Sequence, residues 1–214
     1  MSRLCRSISM LALLVAVAAS DALAQDLASD NFRWYVGGQA GALIFRTPNQ
    51  TRGGIPMVGG HMLIKARRSG LYVGVEEAFK KNQQSSYTNS LGGTQTVTFS
   101  DVRRFTFALM AFPVRGPATP YFGVGGGIMN VISPKEAGGA EDPFAADLGS
   151  GGFATFMAGL QFRVSGVSAF GQYQIQTIPG YGANSGGQGR LINGTVHSLA
   201  GGVRVSFGAA REEM

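Results

Sequence analysis

The chain has 214 residues, a formal charge of +6 and only 14% charged residues, well below the roughly one quarter found in soluble domains. Glycine fills 33 positions, about double its usual share, and recurring Phe, Tyr, Val, Leu and Ile exclude a disordered chain. The cations stand singly or as the pairs Arg67-Arg68, Lys80-Lys81 and Arg103-Arg104, so no basic stripe marks a nucleic-acid-binding face, and anionic lipid headgroups are the partner that suits this charge.

Residues 1–24 read as a secretory signal peptide. Arg3 and Arg6 supply the positive start, residues 10–19 the apolar run, and Ala22-Leu23-Ala24 the small-x-small cleavage site before Gln25. The apolar run is about half the roughly 20 residues that a spanning helix needs. Cys5 lies inside this segment, so the mature chain is expected to carry no thiol, disulfide or Cys-based metal site, and no lipid-attachment Cys flanks the cleavage site. Residues 25–31 form a short periplasmic leader.

Eight segments of alternating character follow: 32–45, 55–66, 71–80, 94–114, 121–132, 153–164, 167–178 and 195–207. Their period is 2, which a strand requires and a helix would scatter. In the last, Leu199, Val203, Val205 and Phe207 oppose Ser198, Arg204 and Ser206. In the seventh, Val167, Ala169, Tyr173 and Ile175 oppose Ser168, Gln172, Gln174 and Gln176. The sixth sets Phe156, Leu160 and Phe162 against Thr155, Gln161 and Arg163, and the second sets Val58, Met62 and Ile64 against His61 and Lys65. Connectors alternate in length. Those at 46–54, 81–93, 133–152 and 179–194 are long, and those at 67–70, 115–120 and 165–166 are short. All long loops therefore leave one rim, the asymmetry of outer-membrane barrels. Residues 208–214 are a polar tail.

The fold expected is all-β: an eight-stranded antiparallel up-and-down transmembrane β-barrel over 32–207. A soluble lipocalin-like ligand-binding barrel is the alternative, but the polar face carries Gly, Gln, Ser and Thr and few charges, whereas a soluble surface is about 25–35% charged. Aromatics near strand ends suggest two girdles: Trp34, Tyr72, Phe122, Phe162 and Phe207 at the short-turn rim, and Phe45, Phe79, Phe99 and Phe153 at the long-loop rim. Glu77 falls on the apolar side and implies a bulge at Glu76-Glu77 or a place near a rim. A barrel this small is filled by side chains. Its polar filling is expected from Lys65, Glu76, Arg104, Gln161, Arg163, Gln172, Gln174 and Arg204, with Glu76 among several cations.

The signal peptide, strand count, loop asymmetry, the Pro120-Tyr121-Phe122-Gly123-Val124-Gly125 opening of the fifth strand and the aromatic end of the eighth together resemble the OmpA/OmpX-like family of outer-membrane barrels. The resemblance covers nearly all of the mature chain. It implies residence in a bacterial outer membrane after Sec export, outer-membrane lipids as partners, and reading of the terminal strand (Val203, Val205, Phe207) by the barrel-assembly machinery. Here 208–214 follow that Phe, a departure from the family pattern, and no peptidoglycan-binding domain follows the barrel. Family members include adhesins, resistance factors and proteins without assigned roles.

No catalytic, cofactor or metal site is expected. Gly123-x-Gly125-Gly126-Gly127 lies inside a strand, where a phosphate loop would need a helix after it. Asn193-Gly194-Thr195 fits a glycosylation pattern that means little in a bacterial outer membrane. A lipid A deacylase or acyltransferase would need a His beside a nucleophile and a carboxylate. His61 and His197 are the only candidates, and strand parity sends His197 and Ser198 to opposite faces. The reading is a non-catalytic barrel with a structural or surface-interaction role, any extracellular ligand falling to the long loops with Pro48, Tyr87, Phe144, Tyr181 and the Glu141-Asp142-Pro143-Phe144 stretch. Mass spectrometry of the envelope form should find a start near Gln25; an intact Met1 there would refute the cleavage site.

Overall fold

The computed structural model describes residues 32–66, 68–89, 91–136, 138–177 and 190–207. The expected signal peptide with Ala22, Ala24 and Gln25, the leader, the tail and Tyr181 lie outside them. Its elements are β1 (Phe32–Thr47), β2 (Gln50–Ala66), β3 (Ser69–Thr88), β4 (Thr94–Ala111), β5 (Ala118–Ile132), β6 (Lys135–Glu136), α1 (Pro143–Leu148), β7 (Gly151–Val164), β8 (Val167–Gln176) and β9 (Asn193–Phe207). All except β6 and α1 are staves of one barrel. Each pairs antiparallel with its neighbour in the chain, and β1 closes the ring by pairing with β9 from Trp34–Phe207 to Arg46–Asn193.

The ladders fix the barrel's geometry. Followed across paired residues, Ala40 leads through Val58, Glu77 and Arg103 to Asn130 on β5. In the other direction it leads through Gly201, Gly171 and Leu160 to Pro120 on the same strand. The two paths miss each other by ten residues, and with eight staves that stagger tilts the strands by about 40°.

Alternation decides what each face meets. Val36, Val58, Val75, Phe107, Leu109, Val124, Leu199 and Val203 are exposed on the outside, while Gln39, Glu76, Arg104, Thr106, Gln172, Gln174 and Arg204 are buried inside. Polar in, apolar out is the inverse of a soluble barrel, as lipid demands. The interior is layered. Toward the long-loop end an apolar cluster joins Leu43, Phe45, Ile55, Val97, Phe99, Val131, Phe153 and Val196 to Ala145 and Leu148 of α1. Toward the short-turn end Tyr35, Leu63, Tyr72, Met110, Phe112 and Tyr121 form a second cluster. Glycine makes room for the large rings: a Cβ on Gly74 would lie 2.6 Å from Tyr72 Oη, and one on Gly159 would overlap the Tyr121 ring.

Several expectations change. Tyr72, Phe45, Phe99 and Phe153 point inward and fill the barrel, leaving Phe79 alone of the proposed long-loop girdle. Position near a strand end had suggested a girdle, but parity sets the side on which a ring falls. The short-turn set Trp34, Phe122, Phe162 and Phe207 is exposed. The connector expected at 46–54 is a hairpin, with β1 and β2 separated only by Pro48 and Asn49, and β3 continues to Thr88 while β4 starts at Thr94 as expected. These tips are polar, but ladder bonds are made by backbone and form regardless. The 133–152 segment does not simply project: it contains β6, which adds to β4, and α1. At the other end β4 stops at Ala111, three residues before the expected end, and the Phe112 N–H makes one further in-register bond to Arg68 O at 2.8 Å.

Glu77 has no bulge. The β3–β4 ladder runs unbroken from Ser69–Ala111 to Phe79–Asp101, with its shift later, before Gln83, near Asn82 at φ 62°. Glu77 faces outward and its Oε1 lies 3.1 Å from Nε of its cross-strand partner Arg103, two residues short of Asp101. The pair therefore sits where the apolar band gives way to polar residues.

Val203 is 55% exposed on the outside and Ser206 is half-buried inside near the short-turn rim. Val203→Arg should destabilise the barrel folded in lipid vesicles by about 2–4 kcal/mol, and Ser206→Arg by clearly less. Urea titration of both variants measures this; equal or reversed effects would place β9 one residue out of register.

Candidate functional site

The chemistry of the described residues concentrates in the lumen between the two apolar clusters. There, two buried arginines organise two hydrogen-bond networks.

The first begins with a ladder pair, Glu76 on β3 and Arg104 on β4. Arg104 Nε lies 2.8 Å from Glu76 Oε2, and both side chains are almost wholly buried. The guanidinium also crosses the lumen to Ser198 Oγ on β9, at 3.4 Å from Nη1 and 3.3 Å from Nη2. Gln39 Nε2 donates to the other carboxylate oxygen, Glu76 Oε1, and lies 3.2 Å from Tyr72 Oη. Glu76 thus has both oxygens engaged and contacts one cation, where several were expected.

The second network surrounds Arg204 on β9, whose exposure is 0%. Its Nε donates to His61 Nε2 at 2.9 Å, its Nη1 to Gln161 Oε1 at 3.1 Å, and its Nη2 lies 3.5 Å from Tyr121 Oη. The guanidinium carbon sits 4.0 Å from the centre of the Phe170 ring and 5.4 Å from that of Tyr121. Stacking on ring faces stabilises a cation without neutralising it. Tyr121 Oη donates to Gln172 Oε1 at 3.1 Å, and Gln174 Oε1 accepts from Gln176 Nε2 at 3.4 Å.

Two further expected lumen residues lie toward the short-turn end. Lys65 is half-buried with Nζ 4.4 Å from the centre of the Phe112 ring, and Arg163 is half-buried two residues beyond Gln161 toward the short-turn end. Val203, Val205 and Phe207 lie outside on β9, opposite Gly38, Val36 and Trp34 of β1. His61, Gln39, Tyr121 and Phe170 were not recognised as network members. Parity could have placed each inside, but nothing in the sequence says which strand a long side chain will reach across the lumen.

At the long-loop end a cap closes the barrel. Asp142 Oδ1 accepts from the Ala145 N–H at 3.0 Å and so caps α1, while Oδ2 accepts from Tyr87 Oη at 2.6 Å. Burial, and then the bond to Asp142, raise the Tyr87 pKa above its ordinary value, so this phenol keeps its proton and the latch holds across the physiological range. Ser85 Oγ donates to Leu191 O at 2.9 Å and the Phe144 ring packs 5.4 Å from that of Tyr87. Beyond the cap the β3–β4 tip presents Leu91 at 93% exposure, on a turn in which Asn89 Oδ1 accepts the N–H groups of Leu91 and Gly93.

The two histidines are far apart in role. His61 is inside with Arg204, whereas His197 is outside, on a strand that does not neighbour β2. The His197 ring is held by two hydroxyls, Tyr173 Oη 2.6 Å from Nδ1 and Thr195 Oγ1 3.0 Å from Nε2. Ser198 faces inward to Arg104 and is not its partner.

This is an eight-stranded antiparallel up-and-down barrel of the outer-membrane type, with its lumen packed at both ends. No protein-family model matches the chain, and no curated protein matches it. Solved structures do. Neisserial surface protein A (NspA) superposes with a TM-score of 0.58 at 13% identity, over 81% of this chain and 97% of that one. Ail, the attachment invasion locus protein of Yersinia pestis, superposes with a TM-score of 0.54 at 10% identity, over 83% and 99%. The fold is that of the small OmpA/OmpX-like outer-membrane barrels.

Arg104→Met would leave Glu76 buried without its cation and should cost about 3–5 kcal/mol. The double variant Glu76→Gln with Arg104→Met should recover most of that loss, because it buries no charge. Unfolding midpoints in vesicles test the pair as a double-mutant cycle; additive losses would show that the two groups do not interact.

Proposed function

We propose that this protein is exported through its signal peptide, assembled through its β9 strand by the barrel-assembly machinery, and resides in a bacterial outer membrane as a non-catalytic barrel that presents its capped long-loop end as an interaction surface. The observation that carries the reading is the contrast between the two ends of the lumen's contents and the cap above them. Both ends of the interior are packed with apolar side chains, which suits no wide conduit, while the Tyr87–Asp142 latch and α1 hold a shaped platform from which Leu91 and Phe144 are exposed. A rigid platform binds at lower entropic cost than a free loop.

A lipid A-modifying enzyme is the second reading, favoured by one observation: His197 lies on the outside with the Thr195 hydroxyl at its Nε2. Against it, the group at Nδ1 is the neutral phenol of Tyr173 rather than a carboxylate, so the imidazolium formed by proton abstraction would gain little stabilisation.

Photocrosslinkers placed at Leu91 and Phe144 on intact cells should capture external partners, and one at Val203 should capture lipid. Host lipid A should have the same mass with the wild type and with the His61→Ala, His197→Ala double variant. A lipid A mass change that the double variant abolishes would establish the enzyme, and large steady conductance in planar bilayers would contradict the closed lumen.

A further inference from the structure

We infer that the barrel binds a small monovalent anion of the halide class inside its lumen, between the His61 and Gln172 side chains next to Arg204. The inference goes beyond the surface role and does not depend on it.

Charge balance comes first. Glu76 is matched to Arg104, but every atom that Arg204 touches is neutral: His61 Nε2, Gln161 Oε1, Tyr121 Oη and two aromatic faces. Among the described residues no carboxylate contacts it. A guanidinium so buried keeps its charge and calls for a counter-charge within reach.

Proton placement then shows where that counter-charge would sit. Arginine has only donors, so His61 Nε2 must offer its lone pair and the ring hydrogen lies on Nδ1. That Nδ1 is buried and meets no protein acceptor. The other arm ends the same way. Tyr121 Oη faces the Arg204 donor and passes its own hydrogen to Gln172 Oε1, which leaves Gln172 Nε2 buried and without a protein acceptor. Gln174 Nε2, two residues along β8, is in the same condition. Both arms therefore carry the polarity of Arg204 to a buried N–H group.

The register brings the arms to one level. Gln172 pairs with Ala200, Ala200 with Gly41, and Gly41 with Met57. Each step climbs about 3 Å toward the long-loop end because of the strand tilt. His61 lies four residues back from Met57, about 10 Å along the axis, which returns it to the height of Gln172. Ala200, the small residue on β9 that pairs with Gln172, is buried on the inside.

The charge of Arg204, together with these donors, chooses the ligand. N–H groups and a guanidinium repel metal cations. A water accepting from His61 and Gln172 would still have to place two hydrogens; the buried hydroxyls of Thr106 and Tyr35, also without a protein partner, can accept as well as donate, so it is the unmatched charge of Arg204 that selects an anion. The one unpartnered amide oxygen of this strand, Gln176 Oε1, lies further toward the apolar cluster. The rings of Tyr72 and Phe170 pack against His61, at 5.5 and 5.1 Å between centres, which favours a monatomic anion over a polyatomic one.

Two measurements on the full folded barrel test this. Crystals grown in bromide should show an anomalous peak within hydrogen-bond distance of His61 Nδ1 and Gln172 Nε2. Thermal unfolding at constant ionic strength should shift upward by several degrees, with saturation, as gluconate is replaced by chloride. The Gln172→Leu variant, which keeps Arg204 and all its direct partners, should fold and lose at least half of that shift. If Gln172→Leu fails to fold, Gln174→Leu serves in its place. Absence of the bromide peak together with an unfolding temperature indifferent to chloride would overturn the site, and so would a full chloride shift retained in the variant that folds.

Discussion

Closure of the backbone ladder is the constraint on which everything else depends. Lipid supplies no hydrogen-bond partner, so each N–H and C=O of a spanning strand must be met by another strand. Here the β1–β9 pairing removes the last two edges. Closure of eight strands at a stagger of ten residues then sets the tilt and the narrow bore. The bore in turn decides how much interior must be filled and by side chains of what size. Gly74 and Gly159 serve that filling: Tyr72 and Tyr121 lie flat against strand positions where a Cβ would collide.

The interior solves two problems with different materials. Near the long-loop end the wall continues beyond the apolar exterior band, and its inward residues are hydrophobic, so the cluster of Phe45, Phe99, Phe153 and α1 behaves as the core of a small soluble domain. In the middle, charge and amide groups fill the lumen. The strong Glu76–Arg104 pair bridges adjacent strands and reaches Ser198 on the far side. Such cross-lumen bonds tie staves that share no ladder, and they resist deformation of the ring. Arg204 ties β9 to β2, β5 and β7 in the same way.

Among the described residues, polar groups on the outside are matched at two places. Glu77 and Arg103 neutralise one another across the ladder at the edge of the apolar band. His197 satisfies both ring nitrogens with hydroxyls. Pairing lowers the cost of holding each group against a poorly solvating surface. The cap uses the same economy, since one carboxylate, Asp142, both starts α1 and anchors Tyr87 of the β3–β4 hairpin.

The sequence by itself determined the stave number, the antiparallel order and the side on which most residues fall, because a two-residue period is a local property of the chain. It placed Glu76, Arg104, Gln172, Gln174 and Arg204 inside, and Val203, Val205 and Phe207 outside, without any knowledge of the ring. It did not reveal that Phe45, Phe99 and Phe153 form a plug, that Glu77 would find Arg103, or that the polar tips of the hairpins continue as ladder. Tertiary structure alone decided these, and also that Arg204 of β9 meets His61 of β2. A side chain that crosses the lumen chooses its partner by the stagger of the closed ring, and that stagger exists only after all eight strands have paired.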